Sequence, residues 1–432
     1  MELSSSEVQK FPSYLRLYTD NIRFKDLIES LTMCKSDTSS ANFTHLLETS
    51  SVSEMNQLFK VKDFSQRELF DIKDAIIQNI TYSSLRTAYI DNLSENCLLA
   101  EFENIFSIQK KVYVSLFSVT NQAEANRELY YNQLLETNIS EYNKIYIPAI
   151  YRTNDQLIFF FAYKYSDKEE TDRIIAATTI ISLNKGTVET HVKNEFTKAN
   201  SSEVDVNSTE KFYYSIKKIL KELGLELKPR KSSDERKALF DYCKYLNKAM
   251  IEDYEESISK ELGAVLKPTL DTFILQLNTQ FPISGDAEKR ILKKIESIYV
   301  GEYITKMITS RELREKALEK GLKGYPTKIK YTNKDAANSQ TASKGKNEPL
   351  PVHEIFHSIN TVFEDMSVLR EIRIAWFERF TFATTGMYER KASVNQTMIK
   401  STKNYLRVVF ASTSKTNKEM VDVVLSEIRR LL

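Results

Sequence analysis

The sequence predicts an α+β fold, and three observations lead to that prediction. Helical periodicity dominates the first hundred residues, β-branched and aromatic runs of strand length follow, and helical periodicity with capping signals returns from about 208 to 322. We therefore expect four parts in chain order. They are a helical N-terminal region (1–107), a β-rich domain with a mostly antiparallel sheet (108–200), a helical middle region (201–322) and a small α/β C-terminal domain with a basic surface (323–432).

The N-terminal region shows a clear helical stripe before the pattern changes. Apolar residues recur at helical spacing at Leu69, Ile72, Ala75, Ile76 and Ile80. A Ser/Thr-rich stretch at 36–53 interrupts the helices upstream of this stripe. The spacing predicts a long amphipathic helix in this part of the chain.

The β-rich domain is predicted from runs of β-branched and aromatic residues. The runs cover 111–120, 144–153, 156–166 and 174–183, and a helix-like segment at 121–136 is inserted after the first. Asn184, Lys185 and Gly186 form a turn signal, and an alternating run follows them from 187. This order predicts neighbouring antiparallel strands.

The middle region carries helix stop and start signals. Gly224 and Gly321 are placed to end helices, and the pairs Ser232 with Glu235 and Thr309 with Glu312 have the form of capping boxes. In the C-terminal domain, strands are predicted at 327–332, 370–377 and 405–412, with helices at 353–369 and 417–432. The polar stretch at 333–351 has the composition of a loop.

The totals exclude several classes of protein. The 61 basic and 59 acidic residues nearly cancel, so any electrostatic partner must meet a local patch. The start of the sequence has no signal-peptide pattern, and no apolar run is long enough to cross a membrane. The three cysteines are far apart and form no disulfide or zinc pattern. We expect a cytoplasmic protein with no membrane partner.

One short motif suggests metal chemistry. His353, Glu354 and His357 form His-Glu-x-x-His, and two of the four histidines of the chain lie in it. On a helix, histidines four residues apart can share a zinc ion, and the glutamate beside the first can act as general base on a zinc-bound water. The motif looks like that of zincin metallopeptidases, a resemblance that covers five residues and implies a zinc cofactor. Glu378 is the candidate third ligand, by its spacing from His357.

The surroundings of the motif also fit an ordinary helix. Pro351 suits the first helical position, which would place His353 in the first turn, and the metzincin glycine and third histidine are absent. Val352, Ile355, Phe356, Ile359 and Phe363 would then form a buried stripe, with the two histidines at its border. If the motif binds no zinc, we expect the protein to have no cofactor.

Two segments are locally basic and could contact nucleic acid. Segment 386–418 has seven Lys/Arg residues and one acidic residue, and segment 316–351 has eight lysines and three acidic residues. Lys and Arg bind phosphates, and the interleaved hydroxyl, amide and aromatic side chains can add hydrogen bonds and stacking. Clusters of like charge are also common on protein surfaces that contact only solvent, and these two segments could be of that kind. The candidate nucleic-acid-binding residues are Arg373, Arg379, Arg390, Lys391, Lys400, Lys403 and Arg407.

Three hypotheses for the function remain open at this point. The leading one is a non-enzymatic protein that binds DNA, RNA or other protein subunits through its basic C-terminal domain. The alternatives are a zinc-dependent metallopeptidase and a structural assembly subunit. The sequence is rich in Lys, Asn and Ile, as in AT-rich genomes, which is compatible with a subunit of a bacterial antiviral defence or mobile-element system. Phosphate-binding glycine loops and nucleophile-elbow motifs are absent from the sequence.

Overall fold

The structure of the chain is a computed structural model in which two compact units are recognised. Unit 1 combines Met1–Arg230 with Tyr405–Asp422, and unit 2 combines Lys231–Asn404 with Val423–Leu432. The residues that the structure describes are 8–9, 14–35, 39–83, 85–94, 130–132, 134–136, 138–152, 155–166, 172–193, 208–265, 267–282, 284–332, 338–343, 345, 347–354, 356–357, 368–377, 394–411 and 416–431.

The described residues form strands and helices in an order that confirms the α+β class. The strands are β1 (Val8–Gln9), β2 (Phe64–Ser65), β3 (Thr87–Asn92), β4 (Tyr130–Asn132), β5 (Ile145–Arg152), β6 (Gln156–Ser166), β7 (Asp172–Ser182), β8 (Thr187–Val192), β9 (Gly324–Thr332), β10 (Asn338–Ala342), β11 (Leu369–Phe377), β12 (Val394–Ser401) and β13 (Leu406–Phe410). The helices are α1 (Phe24–Cys34), α2 (Ala41–Leu47), α3 (Val52–Val61), α4 (Gln66–Tyr82), α5 (Thr209–Glu222), α6 (Ser232–Val265), α7 (Lys267–Gln280), α8 (Gly285–Met307), α9 (Ser310–Glu319) and α10 (Lys418–Leu431), with 3-10 turns at Leu15–Asn21 and Leu350–Val352.

Unit 1 is built on an antiparallel sheet with the strand order β13-β3-β8-β7-β6-β5-β4. Helix α5 covers one face, where Phe212 and Ile216 pack into a core with Phe159 and Phe161 of β6. The first 3-10 turn and α4 cover the other face. Because both faces are covered, β6 and β7 are apolar over most of their length rather than alternating.

Unit 2 is built on an antiparallel sheet with the strand order β10-β9-β11-β12. Helix α6 contacts β9, β11 and β12 on the face that carries Ile372 and Ile399, both fully buried. At the edge of this contact, Ser401 donates a hydrogen bond from its hydroxyl to Glu235 of α6, over 2.7 Å. The opposite face of the sheet carries the polar side chains described below.

Several local predictions are confirmed. The strands predicted between 144 and 192 are present as β5 to β8, and Gly186 in the turn has φ +65°. Gly224 has φ +89°, and the next N–H bonds back to the Leu220 carbonyl, which closes a Schellman motif. The Thr309–Glu312 capping box is present. The other predicted box is not confirmed. Helix α6 already includes Ser232, the Lys231 carbonyl accepts the N–H groups of Asp234 and Glu235, and the Glu235 carboxylate accepts the Ser401 hydroxyl.

Other local predictions need correction. The region 1–107, predicted to be helical, contains the strand β3, and the predicted loop 333–351 contains β10, which pairs with β9. Segment 394–401 forms β12 and was not predicted as a strand. Pairing with neighbouring strands stabilises β10 and β12, whose sequences are largely polar and have weak β-propensity. Where the inserted helix 121–136 was predicted, Tyr130–Asn132 instead form the strand β4. The predicted strand 111–120, most of the rest of that helix and most of the predicted helix 353–369 lie outside the described residues. The four-part division of the chain stays a prediction.

No helix among the described residues is long and apolar enough to span a membrane.

A buried ion cluster ties α5 to β3 in unit 1. The Asp91 carboxylate accepts hydrogen bonds from the Tyr213 hydroxyl at 2.5 Å and from the Arg230 guanidinium at 3.2 Å. The Lys217 ammonium lies 3.6 Å away. Burial and the nearby Asp91 charge raise the pKa of Tyr213, so its hydroxyl stays a hydrogen-bond donor.

We expect Asp91→Ala to destabilise unit 1 by about 3 kcal/mol, because it leaves Arg230 buried without its carboxylate partner. Urea unfolding followed by circular dichroism measures the effect. The control is Glu222→Ala, which removes an exposed carboxylate 4.0 Å from Lys218 and should change stability by less than about 1 kcal/mol. Equal midpoints for the two variants would contradict a stabilising role of the cluster.

Candidate nucleic-acid interface

The sheet of unit 2 turns a row of basic side chains away from its core. Successive side chains of a strand point to opposite faces. In β9, Ile329 is buried, and Lys328 and Lys330 beside it are only half-buried. In β11, Ile372 is buried and Arg373 is exposed. The same alternation in β12 leaves Lys400 half-buried.

Strand register brings these residues together in two rows. The first row runs from Lys330 through Glu371 to Lys400, and the second from Lys328 through Arg373 to Met398. Neighbouring strands lie about 4.8 Å apart, and residues two positions apart on a strand lie about 6.6 Å apart. Four cations and one carboxylate therefore occupy a small patch, which we call the basic face: Lys328, Lys330, Glu371, Arg373 and Lys400.

The charges on the basic face are not balanced locally. Lys328 lies directly opposite Arg373 across the β9–β11 pair. Like charges at directly opposed positions destabilise a sheet. Over the described ranges, none of the four cations forms an ion pair with a carboxylate. An anion bound between the cations would relieve this repulsion.

The border of the basic face is polar rather than aromatic. Gln340 of β10 lies opposite Lys330 and is exposed, and the Gln396 amide of β12 lies 3.5 Å from the Thr327 hydroxyl. Farther along the same strands, Tyr325 and Phe377 are buried, with ring centroids 5.5 Å apart. In the part of the chain that the structure describes, this face therefore offers charge and hydrogen bonds, but no exposed aromatic ring for stacking.

The structure brings together only some of the residues predicted to bind nucleic acid. Arg373 and Lys400 lie on the basic face, and Lys403 is exposed in the turn after β12. Arg407 belongs to unit 1, where its guanidinium lies 5.3 Å from the centroid of the Tyr405 ring. The remaining candidates, Arg379, Arg390 and Lys391, lie outside the described residues.

Sequence analysis did not single out Lys328 and Lys330. The two lysines alternate with Thr327, Ile329 and Tyr331, all of which are buried. This alternation is the signal that identifies an outward-facing lysine pair on a strand. Counting charged residues over the whole segment 316–351 does not reveal this alternation, because the count combines residues from both faces of the strand.

The His-Glu-x-x-His motif does not lie on one helix in the way the zinc hypothesis assumed. His353 has extended backbone, with φ −108° and ψ 129°, and it follows the 3-10 turn that contains Pro351. Its Nε2 lies 3.2 Å from the Glu348 carboxylate. Helical backbone begins at Glu354, whose side chain is exposed. The expectation that His353 occupies the first helical turn is therefore corrected.

His357 is a packing residue in this structure. Its side chain is buried, and its Nε2 lies 2.7 Å from the Pro351 carbonyl oxygen, which can only accept a hydrogen bond. Burial lowers the pKa of His357, so the ring is neutral and its Nε2–H donates to Pro351. Gly301 of α8 packs so closely that a Cβ built there would lie 2.3 Å from the His357 Cβ.

The zinc hypothesis stays a prediction. Across the described residues, no group of three or more His, Cys, Asp or Glu side chains could hold a metal ion. Glu378, the candidate third ligand, lies outside them. If zinc bound His357 through Nε2, the hydrogen bond to Pro351 would have to break.

Comparison with known proteins gives no information on the function of this chain. No protein-family model matches the chain, and a search of curated proteins finds no match.

We expect Gly301→Ala to destabilise unit 2 by about 1–3 kcal/mol, because the added methyl group overlaps the His357 side chain. The matched control is Gly285→Ala in the first turn of the same helix, where an added Cβ meets no atom within 4 Å. That variant should be neutral or more stable by up to about 1 kcal/mol. Thermal unfolding of both variants is the measurement, and a harmless Gly301→Ala would contradict the close packing.

We also expect the purified chain to hold no stoichiometric zinc through His357, because its Nε2 already donates to Pro351. Elemental analysis of the wild type and of His357→Ala, after zinc addition and desalting, tests this. About one zinc per chain that is lost in the variant would contradict our expectation and support the metallopeptidase hypothesis.

Proposed function

We propose that this chain is a binding protein whose basic face contacts the phosphate backbone of nucleic acid. One observation carries the proposal: Lys328 and Arg373 stand directly opposite each other on neighbouring strands, and neither pairs with a carboxylate in the described part of the chain. A sheet that keeps two opposed cations bears an electrostatic cost. A bound phosphate offsets that cost by accepting hydrogen bonds from both side chains.

The arrangement favours a polyanion over a single small anion. Lys330 and Lys400 flank Glu371 in the row beside the opposed pair. The cations are thus spread over three strands, across about 10 Å. A nucleic acid presents phosphates repeatedly along its length and can meet several separated cations at once. Gln340 and Gln396 at the border can add hydrogen bonds to phosphate or sugar oxygens.

The composition of the basic face also favours binding that does not depend on sequence. Contacts to phosphates set position and affinity, whereas base edges or stacked bases carry sequence information. Stacking platforms for unpaired bases use exposed aromatic side chains. The described residues of this face supply lysine, arginine and glutamine instead. A role in a bacterial defence or mobile-element system stays a prediction from composition.

We expect the double variant Lys328→Glu/Arg373→Glu to weaken binding to labelled DNA and RNA oligonucleotides by about 10- to 100-fold, because it reverses the opposed pair of cations. Fluorescence anisotropy over a range of salt concentrations is the measurement. For the wild type, log K should fall with log salt with a slope of about −3 to −4 on duplex DNA, as four phosphate contacts predict.

The control is Lys244→Glu/Lys260→Glu, which makes the same charge change at two exposed positions of α6 in the same unit. It should bind within about twofold of the wild type if the position of the cations matters more than net charge. Binding that is absent at low salt, or that falls equally in both double variants, would overturn the proposal.

A further inference from the structure

Helices α7 and α8 expose an unusual amount of apolar surface. Nine of their apolar side chains, counting Phe281 just after α7, are between 39% and 69% exposed. The described residues contain fifteen exposed large apolar side chains in all, so most of them lie in these two helices or just after α7. Scattered exposed apolar residues are common on proteins, but a concentration of this kind marks an interaction surface.

Helix α8 has two apolar sides. Val300 and Ile304 lie on the side of α8 that is buried within unit 2. Ile291, Ile295 and Ile298 recur at spacings of four and three residues on the side away from Ile304, and Ile298 is 58% exposed. That spacing is the apolar seam of a coiled coil, in which isoleucine side chains pack into a facing helix. We call these three residues the isoleucine seam.

Helix α7 has an exposed apolar stripe and almost no charge. Phe273, Leu277 and Phe281 recur every fourth residue and are 52%, 40% and 69% exposed, whereas Ile274 is buried. Asp271 is the only charged residue from 268 to 284. A helix with a solvent-facing side normally carries charged residues there. We call these three residues the aromatic stripe.

The exposed apolar area of the two helices is of the order that a dimer interface buries. The nine side chains present roughly 900 Å² together, at about 100 Å² each, of which the five exposed members of the seam and the stripe contribute about 500 Å². A standard interface buries about 800 Å² per partner, so the contact must also cover side chains beside the seam and the stripe. The largest apolar patch of a typical monomer is about 300–600 Å². A second copy of the chain brings an equal apolar area and covers the first.

The charges indicate which helices meet. Glu288 and Glu302 lie three residues before and four residues after the isoleucine seam. Two antiparallel copies of α8 would place Glu288 against the Glu302 of the second copy, and parallel copies would place each glutamate against itself. In either orientation, the contact between two copies of α8 would also bury the ion pair of Glu302 with Lys306, and removing these charges from water costs free energy. The aromatic stripe carries no charge, so packing it on the seam brings no two glutamates together.

We propose that a second copy of this chain covers the exposed apolar side chains of α7 and α8. The isoleucine seam of each copy packs on the aromatic stripe of the other around a two-fold axis. A two-fold interface uses the same surface on both copies, so the two contacts form together and close the assembly at two chains.

We expect sedimentation velocity of the full chain to give a species of twice the 50.1 kDa chain mass at micromolar concentration. Ile298→Lys and Phe273→Glu, each alone, should raise the dimer dissociation constant at least about tenfold, because each places a charge in an apolar contact. Mixing the two variants should restore the dimer, since the new lysine and glutamate then lie on facing helices of different copies.

The control is Met33→Lys, which adds the same charge at an apolar side chain of unit 1 that is 87% exposed. It should leave the dimer intact. Circular dichroism checks that each variant is folded. A wild type that is monomeric at about 100 µM, or a dimer that neither substitution weakens, would overturn the proposal. Weakened variants that do not recover on mixing would overturn the pairing of seam with stripe.

Discussion

The pleat of the unit 2 sheet is the constraint on which both its core and its candidate interface depend. Because side chains alternate along each strand, burying Ile329, Ile372 and Ile399 on the α6 side turns Lys328, Arg373 and Lys400 to the other side. A register shift of one residue would place the cations in the core, at a large cost in free energy. The burial of the apolar residues thus fixes the positions of the basic residues, which need no further contacts to hold them on the solvent-facing side of the sheet.

The histidine motif shows why residue types at a given spacing are not enough to define a site. The zinc hypothesis assumed that His353 and His357 share a helical face. Pro349 and Pro351 instead place a 3-10 turn before the helix, so the first histidine has extended backbone. His357 faces Gly301, a residue more than fifty positions earlier in the chain. The expectation that His353 lies on the helix is therefore corrected, and zinc binding stays a prediction.

The sequence predicted the fold class, the strands β5 to β8 and several helix ends, because long apolar runs and glycine signals are local. It did not predict β3, β10 or β12. Strands β10 and β12 are largely polar in sequence and pair with β9 and β11, the strands that precede them, whereas β3 pairs with β8, about a hundred positions later. Of the candidate binding residues, Arg373 and Lys400 could be found from local charge. Their association with Lys328 could not, since strand register is not visible in a single sequence.

The division of unit 1 along the chain has a consequence for how the protein folds during synthesis. Strand β13 pairs with β3, and their paired residues Leu406 and Ile90 are more than three hundred positions apart. The segment Lys231–Asn404, which forms most of unit 2, lies between these two strands in the chain, so the ribosome makes that segment before it makes β13. Until then, β3 lacks this neighbour and part of its edge is unpaired. The sheet of unit 1 is therefore complete only after β13 has been translated, which makes its maturation sensitive to any truncation that removes Leu406–Phe410.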